Sequence, residues 1–321
     1  MENGPVYISG IIHFDDYKIL EESLASLLDQ SLPPERIVIV DHSHNPEKSQ
    51  SFRSRHDTVD WICSPNGGYA SGANRVIGWA ESVAPDSDYV LVMNPDVNLE
   101  SEFSEAVIRE MQARPRVALA SGRLLRPGGT VIDSAGIEMH RSRRFRDRGS
   151  EESDEGQFGA SELVFAVSGA AMMLRRSALA ALSLDGEIFD EDFFVYHEDT
   201  DLAWRAHNLG YSSLYVADAV AIHVRGWRQA DRKQIALSIR RHSLKNRYLE
   251  IIKNDVPSRL LRDFFFIFAA EFARLVQVVF LDRGVLGGYK DAAKHARRAW
   301  RKRRMIQHKI RANRKSQISE Q

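Results

Sequence analysis

A group of carboxylates stands at the start of a predicted helix in the second half of the chain. Glu198, Asp199 and Asp201 follow His197 and an aromatic run over residues 193–196. Free N–H groups and the positive end of the helix dipole keep such carboxylates ionised and oriented. A side chain held in this way could act as a general base. The same residues also make an ordinary helix cap, so the group alone leaves both interpretations open.

Further acidic residues follow two strongly apolar runs in the first third of the chain. Asp41 ends one run, and Asn94-Pro95-Asp96 follows the other. A stretch containing Asn and Gly, over residues 66–74, lies between them in the sequence. Carboxylate oxygens suit divalent cations such as Mg²⁺, and glycine lets a ligand approach the backbone closely. These residue types are therefore candidates for a ligand site.

Continuous apolar runs alternate with amphipathic helical patterns along the first part of the chain. The runs predict strands over residues 6–12, 37–40, 61–63, 89–93 and 117–120. The helical patterns cover residues 19–28, 71–82 and 101–113. Strands that are apolar throughout and alternate with helices indicate an α/β fold with a parallel sheet covered on both faces. Ligands bind at the carboxyl ends of such strands, so Asp41, Asp96 and residues 66–72 should meet at one edge.

Residues 126–162 differ in character from the segments around them. They are charged and contain glycine, with an arginine-rich stretch at 141–144 and an acidic one at 151–155. Two interpretations stay open: a mobile segment over the active edge, or a plain solvated insertion. Apolar character returns over residues 164–174.

Three common sequence signatures of enzymes are missing. The chain has no Gly-x-x-x-x-Gly-Lys, which excludes the phosphate-binding loop of the common ATPases. No Gly-x-Gly-x-x-Gly follows the first strand, which argues against a dinucleotide-dependent oxidoreductase. No Gly-x-Ser-x-Gly occurs either, which argues against an α/β-hydrolase.

Five motifs remain, and they occur in a fixed order. They cover residues 37–41, 66–74, 89–96, 168–170 and 189–205. This series resembles glycosyltransferase family 2, the inverting enzymes of GT-A fold, and especially its bacterial rhamnosyltransferase-like branch. The resemblance covers roughly residues 6–226. It implies a mostly parallel central sheet flanked by helices, with a catalytic domain over residues 1–240 and a C-terminal helical region over residues 241–321.

The resemblance implies a role for each matching residue. Asp199 would be the general base, with Glu198 beside it, and Asp96 would bind a divalent cation, Mg²⁺ or Mn²⁺. His223 matches a position near metal and diphosphate, although a lone histidine is more often structural. The residues implied to bind the nucleotide sugar are Asp41, Asn66, Gly68, Asn74, Asn94, Asp96, Gly169 and Arg225. Arg225 or Arg228 would help to neutralise the departing diphosphate.

The reaction implied is transfer of a sugar with inversion at its anomeric carbon. The donor would be a dTDP- or UDP-sugar, with dTDP-rhamnose favoured, and the acceptor a polysaccharide or a polyprenyl-linked saccharide. The chain departs from the family pattern at Asn94, which stands where an aspartate is common and removes one charged oxygen. Residues 42–46 and 69–72 also depart from it, and both lie near the expected nucleotide.

Two other functions stay open on the sequence alone. A sugar nucleotidyltransferase also binds nucleotides at a sheet edge, but the expected glycine- and lysine-rich N-terminal loop is missing. A non-catalytic protein could use its basic C-terminal tail to bind nucleic acid or a membrane. Nucleic acid is not favoured, because Trp300 is the only aromatic residue available for base stacking in that tail.

The zero net charge of the chain hides a strongly basic C-terminal tail. Residues 290–315 contain twelve Lys or Arg against Asp291 alone, a charge of +11, so the rest of the chain has a charge of −11. Such a tail is typical of contact with an anionic surface, with a disordered solvated tail as the alternative.

An apolar segment precedes this tail. Residues 260–281 contain Arg262, Asp263, Glu271 and Arg274, which suggest a segment too interrupted to cross a bilayer. Its apolar face instead predicts a helix lying in a membrane interface, with packing on the catalytic domain or a dimer contact as the alternatives.

Cysteine usage and the N-terminus point to a reducing compartment. Cys63 is the only cysteine and no signal peptide is recognisable. We therefore expect a cytoplasmic protein attached peripherally to the inner face of the cell membrane. A homo-oligomer is left open.

Overall fold

A ten-stranded mixed sheet forms the centre of the molecule. The computed structural model describes residues 4–43, 45–224 and 235–319. The strand order is β10-β12-β6-β11-β4-β1-β2-β3, with β5 paired to β12 and β7 paired to β6. The strands are β1 Tyr7–His13, β2 Ile37–Asp41, β3 Asp60–Cys63, β4 Tyr89–Met93, β5 Val97–Leu99, β6 Val117–Leu125, β7 Ile132–Ser134, β8 Ile137–Met139, β9 Phe145–Asp147, β10 Glu162–Val164, β11 Ala171–Arg175 and β12 Ser212–His223.

The pairing of the central strands explains their sequence. Strands β3, β2, β1 and β4 run parallel, as do β6 and β12, while β11 is antiparallel between β4 and β6. Every residue of β1, β2 and β4 is buried. A parallel strand covered on both faces must be apolar throughout, which is the pattern that predicted these strands.

Within the part of the chain that the structure describes, ten α-helices surround the sheet and extend beyond it. They are α1 Tyr17–Leu28, α2 Pro46–Arg53, α3 Gly68–Val83, α4 Phe103–Gln112, α5 Arg176–Leu182, α6 Glu198–Asn208, α7 Leu237–Asn254, α8 Pro257–Arg262, α9 Phe264–Leu281 and α10 Gly287–Ser319. Helices α3, α5 and α6 share one core with one face of the sheet, and α1 and α4 share another core with the opposite face. The molecule therefore has the helix–sheet–helix layers expected of the α/β class.

Local signals placed most elements correctly, with differences at the ends. Asp16 caps α1 by accepting hydrogen bonds from the backbone N–H groups of Lys18 and Ile19. Helix α3 begins at Gly68 rather than at residue 71, and β6 extends to Leu125. Sequence propensity does not define these ends. Strand β6 pairs with β12 beyond its apolar run, and helix ends are poorly defined by sequence alone.

The charged segment over residues 126–162 is not a plain solvated insertion. It forms β7, the β8–β9 hairpin and the connection to β10. Arg143 is only 1% exposed, and its guanidinium donates to Asp255 at 2.5 Å and to Asp263 at 2.9 Å. This buried pairing ties the segment to the residues that flank α8, a contact that charge composition alone does not reveal.

The basic tail is a docked helix rather than a free one. On α10, Lys302 is 3% exposed and contacts Asp190 at 2.6 Å and Glu187 at 3.0 Å. Arg298 pairs with Asp192 at 2.9 Å, and Arg301 pairs with Asp185. Part of the tail's positive charge is thus neutralised by carboxylates of residues 185–192. This docking rules out the alternative of a disordered, solvated tail for the paired part of α10.

Helix α9 is long and apolar enough to cross a membrane, judged by length and composition. Its 18-residue span has a mean hydropathy of 2.0, and only 6% of it is buried. Arg262 and Asp263 lie before the helix, while Glu271 accepts from the Arg247 guanidinium of α7 at 2.8 Å. The prediction that this segment is too interrupted by charges to cross a bilayer is therefore wrong. Both a membrane-spanning and an interfacial position are compatible with the helix.

Candidate active site

The acidic start of α6 meets the motif over residues 168–170. Asp199 Oδ2 accepts a hydrogen bond from the Gly169 N–H at 3.2 Å, and its Oδ1 accepts from the Thr200 N–H at 2.7 Å. The Gly169 carbonyl accepts from the Tyr69 hydroxyl at 2.6 Å. Two backbone N–H groups thus orient a partly exposed carboxylate, an arrangement that suits proton abstraction.

Glu198 differs from Asp199 in its surroundings. It is buried, and its Oε2 has no hydrogen-bond partner among the residues that the structure describes. Burial first, and then the neighbouring charge of Asp199, raise the pKa of Glu198 well above its ordinary value. The protonated form of Glu198 is therefore favoured, which leaves Asp199 as the better-placed base.

The loop that leads into α6 has an unusual backbone. Phe194, Tyr196 and His197 have φ values of 67°, 68° and 71°, in the left-handed region that side chains other than glycine rarely adopt. The Asn246 amide on α7 donates to the carbonyls of Phe193, Val195 and Tyr196, at 2.7–2.9 Å. One buried side chain therefore stabilises a strained loop at the site.

Helix α7 also holds the first turn of α6. Glu250 accepts from His197 Nδ1 at 2.8 Å and from the Thr200 hydroxyl at 2.9 Å. Asp201, the third acid of the motif, is fully buried and pairs with Lys253 at 2.8 Å. Asp201 is thus a structural anchor. The sequence did not indicate the α7 residues that hold Asp201, because their role depends on contacts with residues far away in the chain.

Helix α7 also bears on the predicted domain organisation. It begins at Leu237, so the boundary predicted at residue 240 falls inside it.

Asp41 lies at the carboxyl end of β2, where the sequence predicted it. The side chain is 2% exposed. Its oxygens accept from the Ser43 N–H at 2.9 Å, the Ser49 hydroxyl at 2.8 Å and the Tyr17 hydroxyl at 3.1 Å. These three donors hold the carboxylate in place at the end of β2.

The stretch over residues 66–74 shapes the turn into α3. Asn66 is exposed, and its side-chain oxygen accepts from the Gly68 N–H at 2.9 Å. Gly68 has a φ of 79°, and a Cβ there would lie 2.2 Å from the Phe194 carbonyl oxygen, so only glycine fits.

Asn74 is fully engaged elsewhere. Its side-chain oxygen accepts from the N–H groups of Ile188 and Phe189, and its amide donates to the Phe189 carbonyl and to Glu191. The side chain therefore fixes the loop before α6 rather than facing an open nucleotide pocket.

Asp96 lies just beyond β4, beside the end of β12. Its Oδ1 is 3.5 Å from Nε2 of the buried His223, whose Nδ1 is 2.8 Å from Asp133. Burial alone would lower the pKa of His223, but its hydrogen bonds to Asp133 and Asp96 raise the pKa to about 9. A carboxylate behind a histidine is the arrangement that orients metal-bound imidazoles.

This pair fits a divalent cation held partly by its substrate, provided that the cation displaces the Nε2 proton that the raised pKa of His223 favours. The described residues contain no group of three or more His, Cys, Asp or Glu side chains placed to hold a metal. Asp96 and His223 would supply two ligands, and Mg²⁺ commonly completes its shell with substrate phosphates and water. Asn94 lies beside them, its N–H donating to the Ala170 carbonyl at 2.8 Å. Arg225 and Arg228 lie outside the described residues, and their roles stay predictions.

Comparison with known proteins places this chain in a family. The family described as Glycosyl transferase family 2 matches residues 10–182. An N-acetylglucosaminyl-diphospho-decaprenol L-rhamnosyltransferase of Mycobacterium tuberculosis is 29% identical over 228 residues, covering 64% of this chain and 71% of that protein. The Haloferax volcanii low-salt glycan biosynthesis hexosyltransferase Agl10 is 25% identical over 203 residues, covering 62% and 63%.

Solved structures agree at the level of the fold. GalNAc-T7, with UDP, GalNAc and Mn²⁺, matches 79% of this chain and 48% of its own, at a TM-score of 0.57 and 12% identity. A Pyrobaculum calidifontis mannosyltransferase with GDP-Man and Mn²⁺ matches 100% and 89%, at a TM-score of 0.53 and 15% identity. The expected GT-A fold is confirmed. The chain belongs to glycosyltransferase family 2 and is a rhamnosyltransferase-like glycosyltransferase.

Proposed function

We propose that this enzyme transfers L-rhamnose from dTDP-rhamnose to a hydroxyl of a lipid-linked saccharide, with inversion. The observation behind the proposal is the arrangement of two chemically distinct groups at one sheet edge. Asp199 is oriented by two backbone N–H groups, and the Asp96–His223 pair lies at the ends of β4 and β12. The sugar and the acceptor follow the activity named for the mycobacterial relative.

The two groups divide the chemistry between them. Asp199 accepts the proton of the acceptor hydroxyl as its oxygen attacks the anomeric carbon, and the bond to the diphosphate breaks. Asp96 and His223 would hold Mg²⁺ or Mn²⁺, which when bound neutralises the charge developing on the diphosphate. One displacement inverts the anomeric centre, so no covalent enzyme intermediate is needed. Asp41, Asn66, Gly68 and Gly169 would line the donor side.

The test measures nucleoside diphosphate release and sugar transfer with dTDP-rhamnose, a polyprenyl-diphosphate-linked saccharide and Mg²⁺ or Mn²⁺. Asp199→Asn should lower kcat by about 10²–10⁴-fold and leave donor binding intact, since only proton acceptance is lost. Asp60→Asn, at an exposed surface ion pair, is the matched control.

Two outcomes would contradict this assignment. Near-normal turnover in Asp199→Asn would remove the base assignment. Release of pyrophosphate instead of nucleoside diphosphate would indicate a nucleotidyltransferase.

We also propose that α9 attaches the enzyme to the inner, anionic face of the cell membrane. Phe265, Phe268, Phe272 and Phe280 are 60–80% exposed on this helix, an apolar surface that water does not favour. Phe265→Glu/Phe268→Glu should reduce cosedimentation with anionic vesicles several-fold. Leu163→Glu, at an equally exposed residue of β10, should not. Equal sedimentation of both variants would remove the proposal.

A further inference from the structure

A concave pocket lies between the β8–β9 hairpin and α9. Its volume is about 680 Å³. Arg141, Arg144 and Arg146 line it from the hairpin side, Phe266 lines it from α9, and the acidic Glu151 also lines it. We call this cavity the arginine pocket. None of its residues belongs to the site around Asp199 and Asp96.

The arginine pocket has an excess of unpaired positive charge. Arg144 and Arg146 are exposed, and neither makes an ion pair within residues 4–43, 45–224 and 235–319. Arg141 pairs with Asp263 at 2.8 Å but stays 54% exposed, while Glu151 pairs with Arg126 at 3.6 Å. Guanidinium groups bind phosphate oxygens in pairs, so this pocket suits a phosphorylated ligand.

Helix α9 contributes one aromatic residue, Phe266, to the lining of the pocket. The Arg141 guanidinium lies 4.1 Å from the centre of the Phe266 ring. Phe264 and Phe265, its neighbours on α9, are 53% and 80% exposed. A ligand in this pocket would therefore have its anionic group beside the arginines and could lay a long apolar chain along α9.

Two sets of contacts connect the pocket to the proposed active site. Phe145 of β9 lies between Arg144 and Arg146 in the sequence. The centre of its ring is 6.1 Å from that of His197, the residue before Glu198. On the other side, Arg126 lies 3.6 Å from both Glu151 and Asp133. Asp133 is the residue that holds His223 beside Asp96.

We infer that the arginine pocket binds the diphosphate of the lipid-linked acceptor, with the polyprenyl chain lying along α9. The inference rests on the proposed function, since that function supplies the acceptor class. The contacts of this pocket with His197 and Asp133 favour the acceptor over phospholipid headgroups, because only the acceptor must lie beside the catalytic residues. The pocket would thereby present the acceptor's saccharide to Asp199.

The first experiment measures equilibrium binding of polyprenyl diphosphate in detergent micelles to the full chain. Arg144→Gln/Arg146→Gln should weaken binding at least tenfold, and each single variant should weaken it less. Arg109→Gln, at an exposed arginine of α4, is the control and should bind normally. The corresponding polyprenyl alcohol should bind weakly and equally to all variants. Unchanged diphosphate binding in the double variant would overturn the inference.

The second experiment separates acceptor from bilayer. Vesicles of anionic phospholipid without polyprenyl diphosphate should sediment the double variant as well as the wild type. If vesicle binding and polyprenyl diphosphate binding fall together, the pocket contacts headgroups and the inference is overturned. Stabilisation by dTDP-rhamnose is measured in parallel for every variant. If dTDP-rhamnose stabilises neither the wild type nor any variant, the proposed donor is contradicted. The binding of polyprenyl diphosphate still tests the role of the arginine pocket.

Discussion

The two sides of the candidate site are built differently. On the donor side, Asp41 and Asp96 follow buried strands of the central sheet, and the donors to Asp41 come from nearby residues of the same domain. On the base side, Asp199 follows a loop with three non-glycine residues at positive φ, supported by Asn246 and Glu250 of α7. The donor side is therefore set by the sheet itself, whereas the base side depends on helices that follow the matched family region.

The largest effect that would distinguish the two sides is expected from Asn246→Ala. The substitution leaves the carbonyls of residues 193, 195 and 196 without their common donor, so the loop relaxes and Asp199 moves. We expect kcat to fall about 10²-fold while donor affinity stays unchanged, because small misplacements of a catalytic group are costly. The free energy of unfolding should fall by about 1–3 kcal/mol.

Steady-state kinetics and donor titration check this prediction. Ser238→Ala, at an exposed residue of the same helix, is the control. Equal losses in kcat and donor affinity would contradict the division into two sides.

A smaller and opposite effect is expected from Asp41→Asn. In the variant, an amide N–H₂ group would face hydroxyl groups that donate to the carboxylate in the wild type. The nucleotide-sugar side of the site would also lose a charged hydrogen-bond acceptor. The Kd for the nucleotide sugar should rise about tenfold, roughly 1.4 kcal/mol, with kcat nearly constant. Isothermal titration with the donor measures this, and a fall in kcat without a change in Kd would argue against Asp41 as a donor contact.

The smallest effect concerns the pH dependence of the free energy of unfolding, to which the buried Asp190 contributes. Burial alone would raise the pKa of Asp190, but Lys253 and Lys302 hold it below its ordinary value. A carboxyl whose pKa is lowered in the folded state stabilises above its unfolded pKa, and this stabilisation is lost as the pH falls below about 4. Between pH 7 and pH 3 we expect its contribution to the free energy of unfolding to fall by about 1 kcal/mol.

Urea unfolding at several pH values provides the measurement for this prediction. Asp190→Asn should remove this part of the pH dependence, since the amide does not titrate. An identical slope in the variant would show that other carboxyls are responsible.

The C-terminal helices show why charge and hydropathy did not predict their contacts. The basic α10 is docked through Lys302 and Arg298, while the apolar α9 is largely exposed. Composition alone suggested an available basic tail. A basic side chain is available to bind an anionic surface only if no carboxylate packs beside it. Composition could not show this pairing, because Asp190 and Asp192 are distant from α10 in the sequence.

Sequence alone determined the parallel strands, most of the helices and the sheet edge where Asp41 and Asp96 lie, because periodicity and caps are local properties. The order of the motifs also indicated the family. Only the tertiary structure decided that Asp201 is an anchor, that Asn74 fixes a loop and that α7 supports Asp199. Those roles depend on contacts between residues far apart in the chain, whose side chains meet only after the helices have packed on the sheet.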